Sequence, residues 1–203
     1  MNIRILAALL LLLASKSSFA ANYQLTVDGD LHDLSLDEEV QIKVGDEYVS
    51  IKLEQKDIFV FSTDSFSFEH PSQHSPSKSD LGDGIFQTAV MTPLGSLLMI
   101  QEYLNLDPSS LLDFMINEIT KEERQYGYKI ESTEQTLTLS DGKVLQGKVV
   151  TSKYRDSDIK RFFYTYSAKD AGLFIMTQVD FSVEPDGESL IDAAVNSLNI
   201  TME

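Results

Sequence analysis

Histidine and carboxylate spacing is the first feature of this sequence that could do chemistry. His70 and His74 stand four residues apart, with Asp64, Glu69, Asp80 and Asp83 nearby. On a helix such a pair shares one face and can hold a metal ion between its rings. Pro71 follows the first histidine and Ser75-Pro76 the second, so a helix is not available and the stretch reads as polar loop. Asp28, Asp30 and His32, with Glu39 at the twelfth place, echo a calcium-binding loop. That loop needs glycine at its sixth place for the sharp turn, and here the sixth residue is Asp33. A solvated acidic turn before a strand is the simpler reading.

Nucleophiles fare no better. Cysteine is absent, which removes thiol catalysis, CxxC redox pairs, zinc-thiolate sites and iron–sulfur clusters. Gly-x-Ser-x-Gly does not occur, Gly95-Ser96 falls in a hairpin turn, and only three histidines exist to serve as a base. With 32 acidic residues, a carboxylate pair lies at any chosen separation, so glycoside chemistry cannot be picked out. Gly142 to Lys148 fills the first seven positions of a phosphate-binding loop, but Val149 replaces the hydroxyl that would hold magnesium. The segment reads instead as a hairpin turn entering a strand. Phe162, Tyr164 and Tyr166 alternate, either as a ladder facing a ligand or as cross-strand packing. No residue is assigned a catalytic, cofactor-binding or metal-binding role.

Charge and the N-terminus narrow the setting. Sixteen basic against 32 acidic residues give a formal net charge of −16, unfavourable for nucleic acid or an anionic membrane surface. Arg4, the apolar run Ile5 to Ala14, and small Ser18 and Ala20 form a secretory signal, with cleavage expected between Ala20 and Ala21. The expected product is periplasmic or secreted, without lipid tether, disulfide or transmembrane anchor. Export without disulfides leaves stability to the core, and residues 21–203 are enough for one domain.

The elements that would position any site follow from periodicity. A hairpin at Val40 to Val44 and Val49 to Leu53 turns at Gly45-Asp46, within an extension spanning 21–55. Strands are expected at Ile58 to Phe61 and around Phe66 and Phe68, then a long mobile loop over 70–84. Ile85 to Met91 and Ser96 to Leu104 form a second hairpin, the returning strand apolar on both faces. Asp107 caps a helix with Pro108 in its first turn, a stripe of Leu111, Leu112, Met115, Ile116 and Ile119, and Gly127 at its end. Strands at 128–130, 136–140, 143–154, 161–166 and 173–181 lead to a closing helix near Asp186, with Leu190, Ile191, Ala194, Val195 and Leu198 in its stripe. Gly147 inside a long strand marks a close approach of another backbone or a helix. The class is α+β: a mainly antiparallel sheet flanked by two or more helices.

The order of elements resembles the PsbP-like superfamily of α/β/α sandwiches. The resemblance lies in Phe66-Ser-Phe68-Glu-His-Pro71, the Asp107-Pro-Ser-Ser-Leu111 helix start, Asp141-Gly-Lys-Val-Leu-Gln-Gly147 before a long strand, and Asn196-Ser-Leu198 at the end. It covers roughly 56–200, transfers no functional residue, and implies an accessory or interaction protein. The expected function is a soluble exported binding or accessory module that contacts a protein or envelope partner. The alternative is a periplasmic hydrolase assembled from dispersed residues, favoured by a pocket that gathers His70 or His74 with a carboxylate and a serine.

Overall fold

The computed structural model describes residues 23–202; the leader and its cleavage point lie outside them. The chain divides into two compact units, one ending at Gln55 and the other starting at Lys56.

The first unit is two hairpins. β1 (Tyr23–Val27) pairs with β2 (Asp30–Leu34), and β3 (Glu39–Val44) with β4 (Glu47–Lys52). Asp28 and Gly29 both have positive φ, as a tight primed turn requires, so the acidic calcium-loop echo is a hairpin turn and its returning strand. Gly45 sits at φ 63 at the first place of the β3–β4 turn, a conformation glycine reaches without a Cβ clash. Leu34 and Ile42 are this unit's buried apolar side chains.

The second unit is built on a seven-stranded antiparallel sheet. Its strands are β7 (Ser77–Gly82), β8 (Ile85–Met91), β9 (Leu97–Tyr103), β10 (Lys129–Thr138), β11 (Val144–Tyr154), β12 (Ser157–Ala168) and β13 (Ala171–Asp180). They lie in the order β10-β11-β12-β13-β9-β8-β7. β13 is central, and Leu173 to Met176 are buried on both faces, as their unbroken apolar run requires.

One face carries Tyr103, Val150, Phe163, Phe174 and Met176. Against it pack the short 3-10 turn Pro108–Leu111, α1 (Leu112–Ile119) and α2 (Lys121–Tyr126). The stripe expected from spacing is the stripe that packs: Leu111, Leu112, Met115, Ile116 and Ile119 all join this cluster. One continuous helix was expected; the helix breaks at Thr120. That residue is buried, and its hydroxyl donates to the Ile116 carbonyl at 2.7 Å, a back-bond that bends helices. Gly127 closes α2 at φ 91.

The opposite face carries Leu98, Ile100, Leu145, Tyr164, Leu173 and Ile175. It is covered by α3 (Glu188–Ser197) and by a small sheet of β5 (Ile58–Ser62), β6 (Phe66–Pro71) and β14 (Asn199–Ile200), in the order β14-β6-β5. Phe66 and Phe68 stack at 6.2 Å on the inner side of β6. The sandwich is therefore only partly α/β/α, because strands share this outer layer with one helix. The pairing shows it: β6 lies between β14 and β5 in a sheet of its own, apart from the seven-stranded one.

The long loop expected over 70–84 is corrected. β6 runs through His70 and Pro71, and Ser77–Gly82 is the edge strand β7. Every residue of β7 is exposed, so no apolar alternation reveals it, and a register shift between Asp80 and Gly82 further masks the ladder. Residues 129–138 also form one strand rather than two, a polar edge whose partner β11 supplies the core.

Candidate functional site

One concave surface follows from where the helices stop. α1 lies over β11 to β13 and leaves the β7 end of the same face bare. There Ala89 and Met91 of β8, Leu97 and Met99 of β9, Gln87, Ser75 and Ser77 line a groove of about 450 Å³. The ladder registers Ala89 with Met99 and Met91 with Leu97, so these side chains form one apolar floor. Met91 is 60% exposed. The rim is β7, whose outer hydrogen-bonding edge pairs with no strand among the described residues. Lys78 fixes that rim from the other face: its ammonium lies 5.0 Å over the Phe86 ring and 3.6 Å from the buried Glu102 carboxylate. Methionine floors are adaptable contact surfaces, because unbranched polarisable side chains refit to different shapes.

A serine, a carboxylate and a histidine do come near one another, but in the wrong order for nucleophilic chemistry. Glu184 Oε2 accepts from the Ser96 hydroxyl at 2.5 Å, the Ser96 amide at 3.1 Å and the Thr92 hydroxyl at 2.7 Å. Ser96 is completely buried and donates its hydroxyl hydrogen bond to the carboxylate directly, with no imidazole between them. Burial disfavours the Glu184 charge, but the Ser96 and Thr92 hydroxyls, the Ser96 amide and nearby His74 outweigh it and lower the pKa. Gly187 lets the segment come this close, since a Cβ there would stand 2.1 Å from Ser96 Oγ. The cluster fastens the segment before α3 to the β8–β9 turn.

A second polar cluster ties α2 to the sheet. Arg161 of β12 is buried and makes a forked contact with Glu123, Nη1 to Oε2 at 3.0 Å and Nη2 to Oε1 at 2.6 Å. Its Nε donates to Gln178 at 2.7 Å. Burial works against the Glu123 charge, and the Arg161 hydrogen bonds and charge overcome it, lowering the carboxyl pKa. Neither cluster was picked out in the sequence; Arg161 carried a signal, a charge at an inward position of an aromatic strand.

The other sequence candidates disperse. His70 points into the small sheet, buried, with Nδ1 3.0 Å from the Pro71 carbonyl and its ring edge-on to Phe59. His74 sits in the turn after β6, its amide bonded to the Pro71 carbonyl. Among the described residues, no three histidine or carboxylate side chains group as metal ligands. The phosphate-loop echo is a hairpin: Gly142 turns at φ 87 and Gly147 lies in β11, where a Cβ would meet the Phe163 carbonyl at 1.9 Å. Gly147 is thus the close approach its position suggested, with the Tyr164 ring also over it. Of the aromatic ladder, Tyr166 donates to the Met202 carbonyl, while Phe162 and Tyr164 stack at 6.3 Å and 9°. No helix among the described residues is long and apolar enough to cross a membrane.

No family model and no curated protein matches this chain. In fold it is similar to the solution structure of cyanobacterial PsbP (CyanoP) from Synechocystis sp. PCC 6803. That likeness covers 71% of this chain and 92% of that one, at 9% identity and a TM-score of 0.49. A crystal structure from Bacteroides thetaiotaomicron VPI-5482 is similar over 73% of this chain, at 10% identity and a TM-score of 0.38; this chain spans about half of its length, 50%. Both likenesses are of fold. The functional reading rests on this chain's own residues.

Proposed function

We propose that this is an exported binding or accessory protein that acts by contact with a protein or cell-envelope partner through the β7–β9 groove. The observation that carries this reading is the apolar floor of Met91, Leu97, Met99 and Ala89, with Met91 exposed, beside a sheet edge that pairs with no strand among the described residues. An extended segment laid along β7 would find backbone partners at the edge and side-chain pockets on the floor, the usual division of labour in strand addition. Export rests on the leader, and mass spectrometry of protein recovered from the periplasm should find Ala21 at the N-terminus. Retention of Met1 would defeat the compartment.

The contact itself is tested by comparing proteins captured by the parent and by Met91→Glu from a periplasmic extract. Met91 is exposed, so its replacement should leave the melting temperature within a degree or two. Loss of one specific captured protein with an unchanged melt supports the reading; an identical captured set from both proteins refutes the groove as the contact.

A further inference from the structure

A second concavity lies on the opposite face, between α3 and β12, and it is chemically more particular than the groove. Its walls are the Phe162 and Tyr164 rings on one side and Ile191, Asp192 and Val195 of α3 on the other, with Thr177 of β13 completing the lining. The space is about 120 Å³, slightly below the roughly 150 Å³ of a cavity that admits one benzene ring, and this one is open on one side. We propose that this cleft binds a small organic cation, a protonated amine carried on an apolar body of about one ring.

Four observations agree on that chemistry. The two rings are parallel within 9°, so they offer a continuous aromatic wall. Thr177 is 1% exposed and its hydroxyl oxygen is buried with no hydrogen-bond partner, a cost that native structures rarely leave standing. A ligand N–H or O–H within reach of it would remove that cost. Asp192 supplies a carboxylate in the lining, and Glu188 stands one helical turn before it. The Phe162 ring already accepts a cation: the Lys160 ammonium lies 4.8 Å from its centre and 4.0 Å from Glu188. Two carboxylates against one ammonium leave the mouth negative, which favours a cationic ligand over an anionic one. Burial also raises the Tyr164 pKa, so its phenol stays protonated at neutral pH as a donor.

Val195 explains why the cleft exists. It belongs to the apolar stripe of α3, yet it is only half-buried, while Leu190, Ala194 and Leu198 of the same stripe are buried. The helix therefore leans on the β6 side of the sheet and stands off from β12. A residue no larger than valine leaves the wall open there.

The test is a two-dimensional NMR titration of the full chain with benzylammonium, benzyl alcohol and benzoate, read at aromatic and α3 resonances. Benzylammonium should give saturable shifts at Phe162, Tyr164 and Val195, benzyl alcohol weaker ones, and benzoate none below tenfold higher concentration. Asp192→Asn should weaken benzylammonium by up to about fivefold and leave benzyl alcohol unchanged. Thr177→Val should weaken both amine and alcohol, by about two- to tenfold. Val195→Phe should abolish the benzylammonium and benzyl alcohol responses. Shifts of equal size for benzoate and benzylammonium, no saturable shift with benzylammonium, or undiminished binding in Val195→Phe would each overturn the proposal. Failure here leaves the β7–β9 groove untouched, because the two sites lie on opposite faces of the sheet.

Discussion

The middle of the large sheet and its β7 end are made from the same kinds of residue and put to different use. At β13, Phe174 and Ile175 are wholly excluded from water on opposite faces. Two strands away on β8, Met91 is 60% exposed, and on the intervening β9 Leu97 and Met99 are only half-buried. Nothing in local propensity separates these strands. What separates them is the length of the helix layer: α1 and α2 end before they reach β8. An apolar side chain as exposed as Met91 contributes little to folding, and it is this surface that the proposed contact would use. The centre supplies stability, and the end is free to supply contact.

That division sets the order of expected effects. Phe174→Ala should cost about 3–5 kcal/mol, read from urea unfolding, because the ring leaves a cavity between α1 and the sheet. A cost under about 1 kcal/mol would mean that the centre is not the closed region described.

Next comes the Arg161–Glu123 fork. Arg161→Ala should cost about 3 kcal/mol or more, since it strands a partly buried carboxylate. Replacing both partners, Arg161→Met with Glu123→Leu, should recover most of the loss, as buried pairs often gain little over apolar residues of similar size. If the double variant is as unstable as the single one, the fork does more than fasten α2.

Acid should act on the same fastenings. Glu123 and Glu184 both have folded pKa values below those of the unfolded chain. Their stabilisation is therefore complete above the ordinary carboxylate pKa and is lost as pH falls through the folded value, that is, below about pH 5. Melting temperatures measured from pH 7 to pH 3 should fall less steeply in Glu184→Gln than in the parent. An unchanged slope would remove Glu184 from the acid response.

How much of this was legible depended on whether a residue's role was local. The two-sided run Leu173 to Met176, the α1 stripe, the cap at Asp107 and the turn at Gly142 were readable because neighbours in the chain determine them. Gly147 was readable because an unpacked glycine inside a strand asks for a close neighbour. β7 was not, since Ser77 to Gly82 is exposed throughout, with Leu81 its one apolar side chain, and its pairing with β8 is a tertiary fact. The Ser96–Glu184 staple joins residues 88 apart, and the Arg161–Glu123 fork joins residues 38 apart, so neither leaves a spacing to find. The groove was invisible for a related reason. Met91, Leu97 and Met99 look like core until the reach of the helices is known.

The smallest expected effect is the most informative about the β7 end. Met91→Glu should change stability by no more than about 0.5–1 kcal/mol, whereas the same change at Ile100 or Ile175 should prevent folding. Denaturant midpoints that fall equally for all three would place the groove inside the core and erase the comparison.

The most direct measurement is site-specific photo-crosslinking in the native cells, with the probe at Met91 and, as control, at Tyr126. Tyr126 is 74% exposed on α2, so exposure alone favours the control. The account predicts one discrete adduct of higher mass from position 91 and none from position 126. Adducts of the same size from both positions, or none from position 91 in cells where position 126 reacts, would contradict it.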